Sequence, residues 1–365
     1  MNRLGFVFFL SIAMGVLSLV CAGVAHLLTR ILGGSSSFFW IGTGLLVSIA
    51  LFYVAGEFYA RKTHRYTLKK IGAIGLGSLS IFISITYLGY IPFWLGLSKD
   101  MLWMGIIGST GLLIGWALFN HMRHPQLTRI SLTTSKPILS PIRIVQLSDI
   151  HLNGLKSLAS SQQIVDQVNS VGPDFIVFTG DLLDIGFEEA RAHLLILSTL
   201  QAKIAKLGVS GNHDFYAHYP HFKKALSLMD FDLLDNKTQS YGPIQFIGLP
   251  DKTGTRFRHI NRELPSHIED TVKRFTVLLD HQPGAFKKTS KSRIDLQLSG
   301  HTHWGQLPPW GLLVRLRYRY SHGFYKTQDS SLYVSKGTST WGPPMRLYGP
   351  SEIVVIDISP MQILS

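Results

Sequence analysis

Five short polar islands constrain the fold of this chain more than any other feature: Asp149-Ile150-His151, Gly180-Asp181, Gly211-Asn212-His213-Asp214, His281, and Gly300-His301-Thr302-His303. Apolar, β-branched runs over 142–147, 175–179, 206–210 and 294–298 each end in one of them, so every island except His281 directly follows a predicted strand. Loops leaving the carboxyl ends of strands gather on one rim of an α/β sheet, which lets residues far apart in sequence converge. Further strands are predicted at 244–249, 276–279, 332–335 and 353–358, and amphipathic helices at 159–169 and 188–200. Strands alternating with helices imply an α/β class. The strand-dense end favours a mixed, layered sheet over a barrel.

The residue types suit divalent metals. Imidazole, carboxylate and amide oxygen are the ligands of such ions, and a two-metal centre needs about seven of them with one carboxylate able to bridge. Asp149/His151 and His301/His303 stand at i and i+2, which on extended chain sends both side chains to one side. Gly211 permits a tight exit from a strand, Asn212 offers a neutral oxygen, and His213 has Asp214 beside it as an orienting carboxylate. Such a His suits proton donation to a leaving alkoxide near neutral pH. Taken singly, Asp-x-His or a lone His has a structural reading; the ordered set does not.

Over 142–358 the sequence resembles the calcineurin-like metallophosphoesterase superfamily, with its signature blocks present in order. The resemblance implies a four-layer α/β/β/α sandwich and two divalent metal ions, Mn, Fe or Zn. It implies that Asp149, His151 and His303 hold one metal, that Asn212, His281 and His301 hold the other, and that Asp181 bridges them. His213 is then the proton donor or transition-state stabiliser, Asp214 its orienting partner, and a hydroxide between the metals the nucleophile. The end of the chain is similar to a membrane-associated bacterial branch, some members of which cleave UDP-2,3-diacylglucosamine. Trp304 stands where that branch commonly has Gly, and either contacts substrate or packs. Arg346 either clamps a second phosphate or pairs with Glu352.

The front of the chain is different. Residues 1–120 hold only eight of the 35 Lys/Arg and two of the 22 Asp/Glu. Apolar stretches at 4–28, 38–60, 71–97 and 101–119 approach or exceed the roughly 20 residues that cross a bilayer as helix, so 1–120 reads as a four-span transmembrane module. Residues 121–140, with Pro125, Pro137 and several Ser/Thr, read as a linker, and 141–365 as the metallophosphoesterase domain. Arg61, Lys62, Arg65, Lys69 and Lys70 crowd the second loop, which by the positive-inside rule places the large domain on the cytoplasmic side of the inner membrane. Cys21 is the only cysteine, so no intramolecular disulfide forms.

The expected function is hydrolysis of a phosphodiester or pyrophosphate by a metal-bridging hydroxide, with the bilayer as partner and a lipid or lipid-linked nucleotide as substrate; a soluble phosphodiester is the alternative. The net charge of +13 suits anionic headgroups or anionic substrates. Nucleic acid is the competing partner, supported by Arg256, Arg258, Arg262, Lys287, Lys288 and Lys291, and a binding-only membrane sensor is the non-enzymatic alternative. Arg315, Arg317 and Arg319 alternate, so on a strand they share one face.

Overall fold

The structure, a computed structural model, describes residues 3–263 and 273–361. It falls into two compact units. The first is Met1–Asn120 together with two short segments from far along the chain, Leu307–Trp310 and Gly342–Tyr348. Its helices are α1 (Arg3–Leu32), α2 (Ser36–Thr63), α3 (Thr67–Leu88), the short α4 (Tyr90–Trp94) and α5 (Lys99–Met122). Four spans in it are long and apolar enough to cross a bilayer, α3 and α4 together making the third. Within this unit Leu307 and Met345 are buried against Ile81 of α3 and Ala117 of α5.

The second unit holds two six-stranded mixed sheets. One runs β1 (Gln126–Thr134), β12 (Glu352–Pro360), β2 (Ile142–Leu147), β3 (Phe175–Phe178), β4 (Ala205–Gly208), β5 (Asp232–Leu233). The other runs β10 (Gly323–Lys326), β11 (Ser331–Val334), β9 (Leu296–Ser299), β8 (Phe275–Asp280), β7 (Ile244–Leu249), β6 (Lys237–Tyr241). Alternation along each strand divides the core in two. Ile144, Phe175 and Val177 meet Phe246, Val277 and Leu298 between the sheets. Val145, Ile176 and Phe178 turn outward instead, onto α6 (Leu158–Val171), α7 (Phe187–Leu197) and α9 (Tyr219–Leu228). The remaining helices are short: α8 (Asn212–Tyr216), α10 (Lys252–Arg256), α11 (Phe286–Thr289) and α12 (Trp310–Arg317). Phe286 of α11 covers Leu332 and Val334 on the outside of the second sheet.

Two readings of the sequence change. The span 121–140 is not merely a linker, because Gln126–Thr134 is a nine-residue edge strand pairing in parallel with Glu352–Pro360. Pro125 and Pro137 lie just outside it, where missing amide donors cost no ladder bond. The arginines 315, 317 and 319 do not lie on a strand, since the first two belong to α12 and the third follows it.

Candidate metal centre

All five islands leave the carboxyl ends of strands. Asp149 and His151 follow β2, Asp181 follows β3, Asn212 opens α8 after β4, and His301 and His303 follow β9. His281 does so too, because β8 extends through Asp280. Strands β2, β3 and β4 are mutually parallel, as are β7, β8 and β9, so both sheets deliver their loops to one rim. Backbone bonds stitch those loops together: Asp149 N–H donates to Gly180 O (2.9 Å), His151 N–H to Asp181 O (3.0 Å) and Gly300 N–H to His281 O (2.9 Å). Across the two sheets, Gln146 Nε2 donates to Ser299 O at 2.9 Å.

Asp149, His151, Asp181, His301 and His303 all have φ between 48° and 72°. Non-glycine residues seldom adopt this left-handed region, and they hold it only where the surroundings over-determine it. Here the strained backbone aims five side chains inward. Glycines make the room: a Cβ on Gly211 would strike the backbone and carboxylate of Asp181, and one on Gly180 would lie 2.6 Å from Gly211 N. Gly211→Ala is therefore expected to abolish metal uptake and activity. Gly172→Ala, at an open helix end with φ of 58°, should keep both and cost only about 1 kcal/mol of stability. Metal content and turnover of the two purified variants check this.

The acceptors face one another. His281 Nδ1–H donates to Thr179 O (2.8 Å), which leaves its Nε2 a lone pair pointing at Asp181 Oδ2 (3.2 Å) and Asn212 Oδ1 (3.2 Å). His151 Nδ1 is bound to Asp184 Oδ1 (2.9 Å), so its Nε2 points at His303 Nε2 (3.0 Å) and lies 3.6 Å from Asp181 Oδ2. Asp149 Oδ1 is 3.4 Å from His303 Nε2. Asn212 Oδ1 is 2.9 Å from His301 Nδ1. Atoms facing one another across such distances can share a proton or a cation, and an all-nitrogen-and-oxygen set suits Mn, Fe or Zn. Asp149, His151 and His303 form one group and Asp181, His281 and His301 another, the ligand atoms of each lying within 4.8 Å of one another. Asp181 Oδ2 stands between the two groups. All seven residues that the sequence proposed as ligands thus come together, and they fit two metal ions.

The electrostatics agree. Burial raises the carboxyls of Asp149, Asp181 and Asp184, but the facing imidazoles outweigh it and hold all three well below the usual carboxylate range. Burial works against protonation of His281, yet Asp181 and Asp149 carry it well above its ordinary value. Burial likewise opposes protonation of His213, but Asp181 and Asp184 overcome it and push that group up to about 9. Three ionised carboxylates converging here favour positive charge among them.

One assignment is corrected. Asp214 does not hold the His213 ring. Its carboxylate accepts the backbone N–H of Asp181 (2.9 Å), Leu182 (2.9 Å), Leu183 (3.1 Å) and Gly211 (2.8 Å), which fixes the loop carrying Asp181. The partner of the imidazole is Asp184, whose Oδ1 lies 2.8 Å from His213 Nδ1. Sequence reading missed Asp184 because adjacency favoured Asp214; the available signal was a second carboxylate three residues after Asp181 in Gly180-Asp-Leu-Leu-Asp184. Also missed were Tyr318, whose hydroxyl lies 2.7 Å from His301 Nε2, and Trp341 and Tyr216, whose rings stand edge-on to His213.

Residues 142–305 match the family described as calcineurin-like phosphoesterase. The chain carries a calcineurin-like metallophosphoesterase domain. It is 34% identical over 226 residues to an uncharacterized metallophosphoesterase of Helicobacter pylori (strain J99), covering 60% of each chain. It is 29% identical to the metallophosphoesterase YkuE of Bacillus subtilis, over 72% of this chain and 98% of that one. A transmembrane protein with metallophosphoesterase domain from Danio rerio is 31% identical over 68% of this chain and 60% of its own. The chain thus spans about 60% of the length of the two Helicobacter pylori relatives it matches.

The two candidate substrate residues of this metallophosphoesterase domain fare differently. Trp304, with φ of 53°, turns its ring onto His322 at a centroid distance of 4.6 Å, beside the His303 ligand. Arg346 is fully buried and belongs to the helical unit, where its N–H donates to Ala117 O (2.9 Å) and its carbonyl accepts from Asn120 Nδ2 (3.2 Å). Glu352, its other proposed partner, accepts from Thr128 Oγ1, Tyr333 OH and Lys336 N. Arg262, counted among the basic residues that favoured nucleic acid, is bound in bidentate fashion to Asp280.

Proposed function

We propose that this protein is a membrane-anchored, metal-dependent phosphodiesterase that cleaves a phosphodiester or pyrophosphate in a lipid or lipid-linked nucleotide on the cytoplasmic face of the inner membrane. The observation carrying the catalytic half is the Asp181 carboxylate lying between His281 and His151, with a ligand group on either side. Asp149, His151 and His303 would hold one ion, Asn212, His281 and His301 the other, and Asp181 would bridge. Two divalent ions in these places supply polarisation of phosphoryl oxygens, acidification of water and neutralisation of charge during in-line displacement. His213, partly exposed at the rim and held through Nδ1 by Asp184, is placed to give a proton from its other ring nitrogen to the departing oxygen. A binding-only sensor would have no use for that pair.

The membrane half rests on the four long apolar helices and on the basic residues Arg61, Lys62, Arg65, Lys69 and Lys70 at the junction of α2 and α3. An anchor raises encounter with substrates that share the bilayer, which favours a lipid-linked phosphoester. With Arg262 engaged by Asp280, the basic cluster cited for nucleic acid loses one member. The deciding experiment uses detergent-solubilised full-length protein with Mn²⁺ and three substrates: bis-p-nitrophenyl phosphate, p-nitrophenyl phosphate and a diacyl nucleotide-sugar. Turnover of the diester or the lipid nucleotide, lost in Asn212→Ala, is expected. Absence of turnover in folded, metal-loaded protein would replace this reading with a sensing role, and a reporter fused at Ser365 that is active only outside the cytoplasm would reverse the orientation.

A further inference from the structure

We propose that α12 is an interfacial helix that lies in the headgroup layer of an anionic bilayer, beside the metal centre. The helix is short and largely uncovered: of its eight residues only Gly311 is buried. Leu312 is 62% exposed, Leu316 76%, Leu313 46% and Trp310 55%. On a helical wheel the three leucines share an arc of about 100°, with Arg315 on one side of it and Arg317 on the other. Arg319 follows just beyond the end. In water such an arc is a liability. In the headgroup layer the leucines are buried, while the guanidiniums reach lipid phosphates on either flank, the arrangement of interfacial amphipathic helices.

The path of the chain points to the same occupant. Leu307, three residues before α12, is buried on Ile81 and Ala117 of two candidate membrane spans, and Leu307–Trp310 clusters with those helices. The segment therefore leaves the apolar helices at a tryptophan, the residue enriched at membrane–water boundaries, and continues into a leucine–arginine helix. One residue past the helix, Tyr318 OH lies 2.7 Å from His301 Nε2. A lipid-bound α12 thus sets the headgroup layer one hydrogen bond from a candidate ligand. The inference rests on the membrane anchoring proposed above and not on any catalytic activity.

The test is depth-dependent quenching in full-length protein reconstituted in nanodiscs. In a Cys21→Ala background, single cysteines replace Leu316, Leu312, Leu45 of α2 and Leu195 of α7, each carrying an environment-sensitive nitrobenzoxadiazole label. Doxyl lipids are the quenchers, and the lipid is either phosphatidylcholine alone or a mixture with phosphatidylglycerol. The expected result is quenching at 316 and 312 at least about twofold stronger than at 195, by shallow doxyl lipids, and stronger with phosphatidylglycerol. The triple variant Arg315→Glu/Arg317→Glu/Arg319→Glu should lose that lipid preference. Labels at 316 and 312 that match 195 would overturn the proposal, as would labels shielded from both lipid and aqueous iodide, which would signify a protein partner. Quenching at 45 separates the two readings: its loss defeats membrane anchoring itself, whereas quenching at 45 without quenching at 316 and 312 defeats only the role of α12.

Discussion

Asp181→Asn is expected to lower kcat on a phosphodiester by about 1,000-fold or more and to leave the protein with at most one bound metal ion. The side chain keeps its size but loses its charge at the point where both ligand groups meet. One carboxylate oxygen, Oδ1, accepts the His213 N–H at 2.8 Å; the other, Oδ2, faces His281 and His151. An amide can preserve the first contact, so folding survives, but its NH₂ cannot serve the second. The measurement is metal content by mass spectrometry beside thermal melting with and without Mn²⁺. Wild type should gain about 2.7 kcal/mol when the ion stands at 100 times its dissociation constant. The variant should gain little, and full stabilisation by Mn²⁺ would remove Asp181 from the role of bridge.

Asp214→Asn and Asp184→Asn should fail in different ways. Asp214 is fully buried and gathers four backbone N–H groups, so an amide there turns its own donors on at least one of them. Breaking a buried hydrogen-bond network of this kind costs about 3 kcal/mol, equivalent to roughly 10 °C in melting temperature. Asp184 instead touches two imidazoles, His151 and His213. Asn at 184 should also lower the melting temperature of metal-free protein, since the facing imidazoles make its charge stabilising, but by less than Asp214→Asn. It should weaken metal binding 10- to 100-fold through His151, and at saturating Mn²⁺ a comparable deficit in kcat should persist through His213. Melting curves and a metal titration of kcat distinguish the two. A stable Asp214→Asn with impaired proton donation would restore the role that adjacency to His213 suggested.

The difference between these two aspartates illustrates what was legible in the sequence. The convergence of the islands was, because Asp149, His151, Asp181, Asn212, His301 and His303 each follow a strand whose β-branched run is visible without coordinates. Who holds His213 was not. Side chains adjacent in sequence diverge at the start of α8, while the loop after β3 brings Asp184 back across the rim, and that return is a tertiary fact. The strand at Gln126–Thr134 was hidden for a related reason. An edge strand needs only a half-apolar sequence, and its partner Glu352–Pro360 lies more than 200 residues away. For α12, alternating arginines suggested a period of two, but the leucines at 312, 313 and 316 carried the helical period.

Leu307–Trp310 and Gly342–Tyr348 return from the second half of the chain to the helical unit. The first begins four residues after His303, and the second starts next to Trp341, whose ring stands 5.9 Å from that of His213. A simple tether would transmit nothing but reach. Here the four candidate spans and the candidate metal loops are joined by short covalent stretches, with Leu307 and Met345 packed on Ile81 and Ala117. Membrane thickness sets the tilt and packing of spanning helices. If the helices are anchored as proposed above, a thinner or thicker bilayer that shifts α3 against α5 moves Leu307 and Met345 with them, and those residues are joined by short stretches of chain to His303 and Trp341.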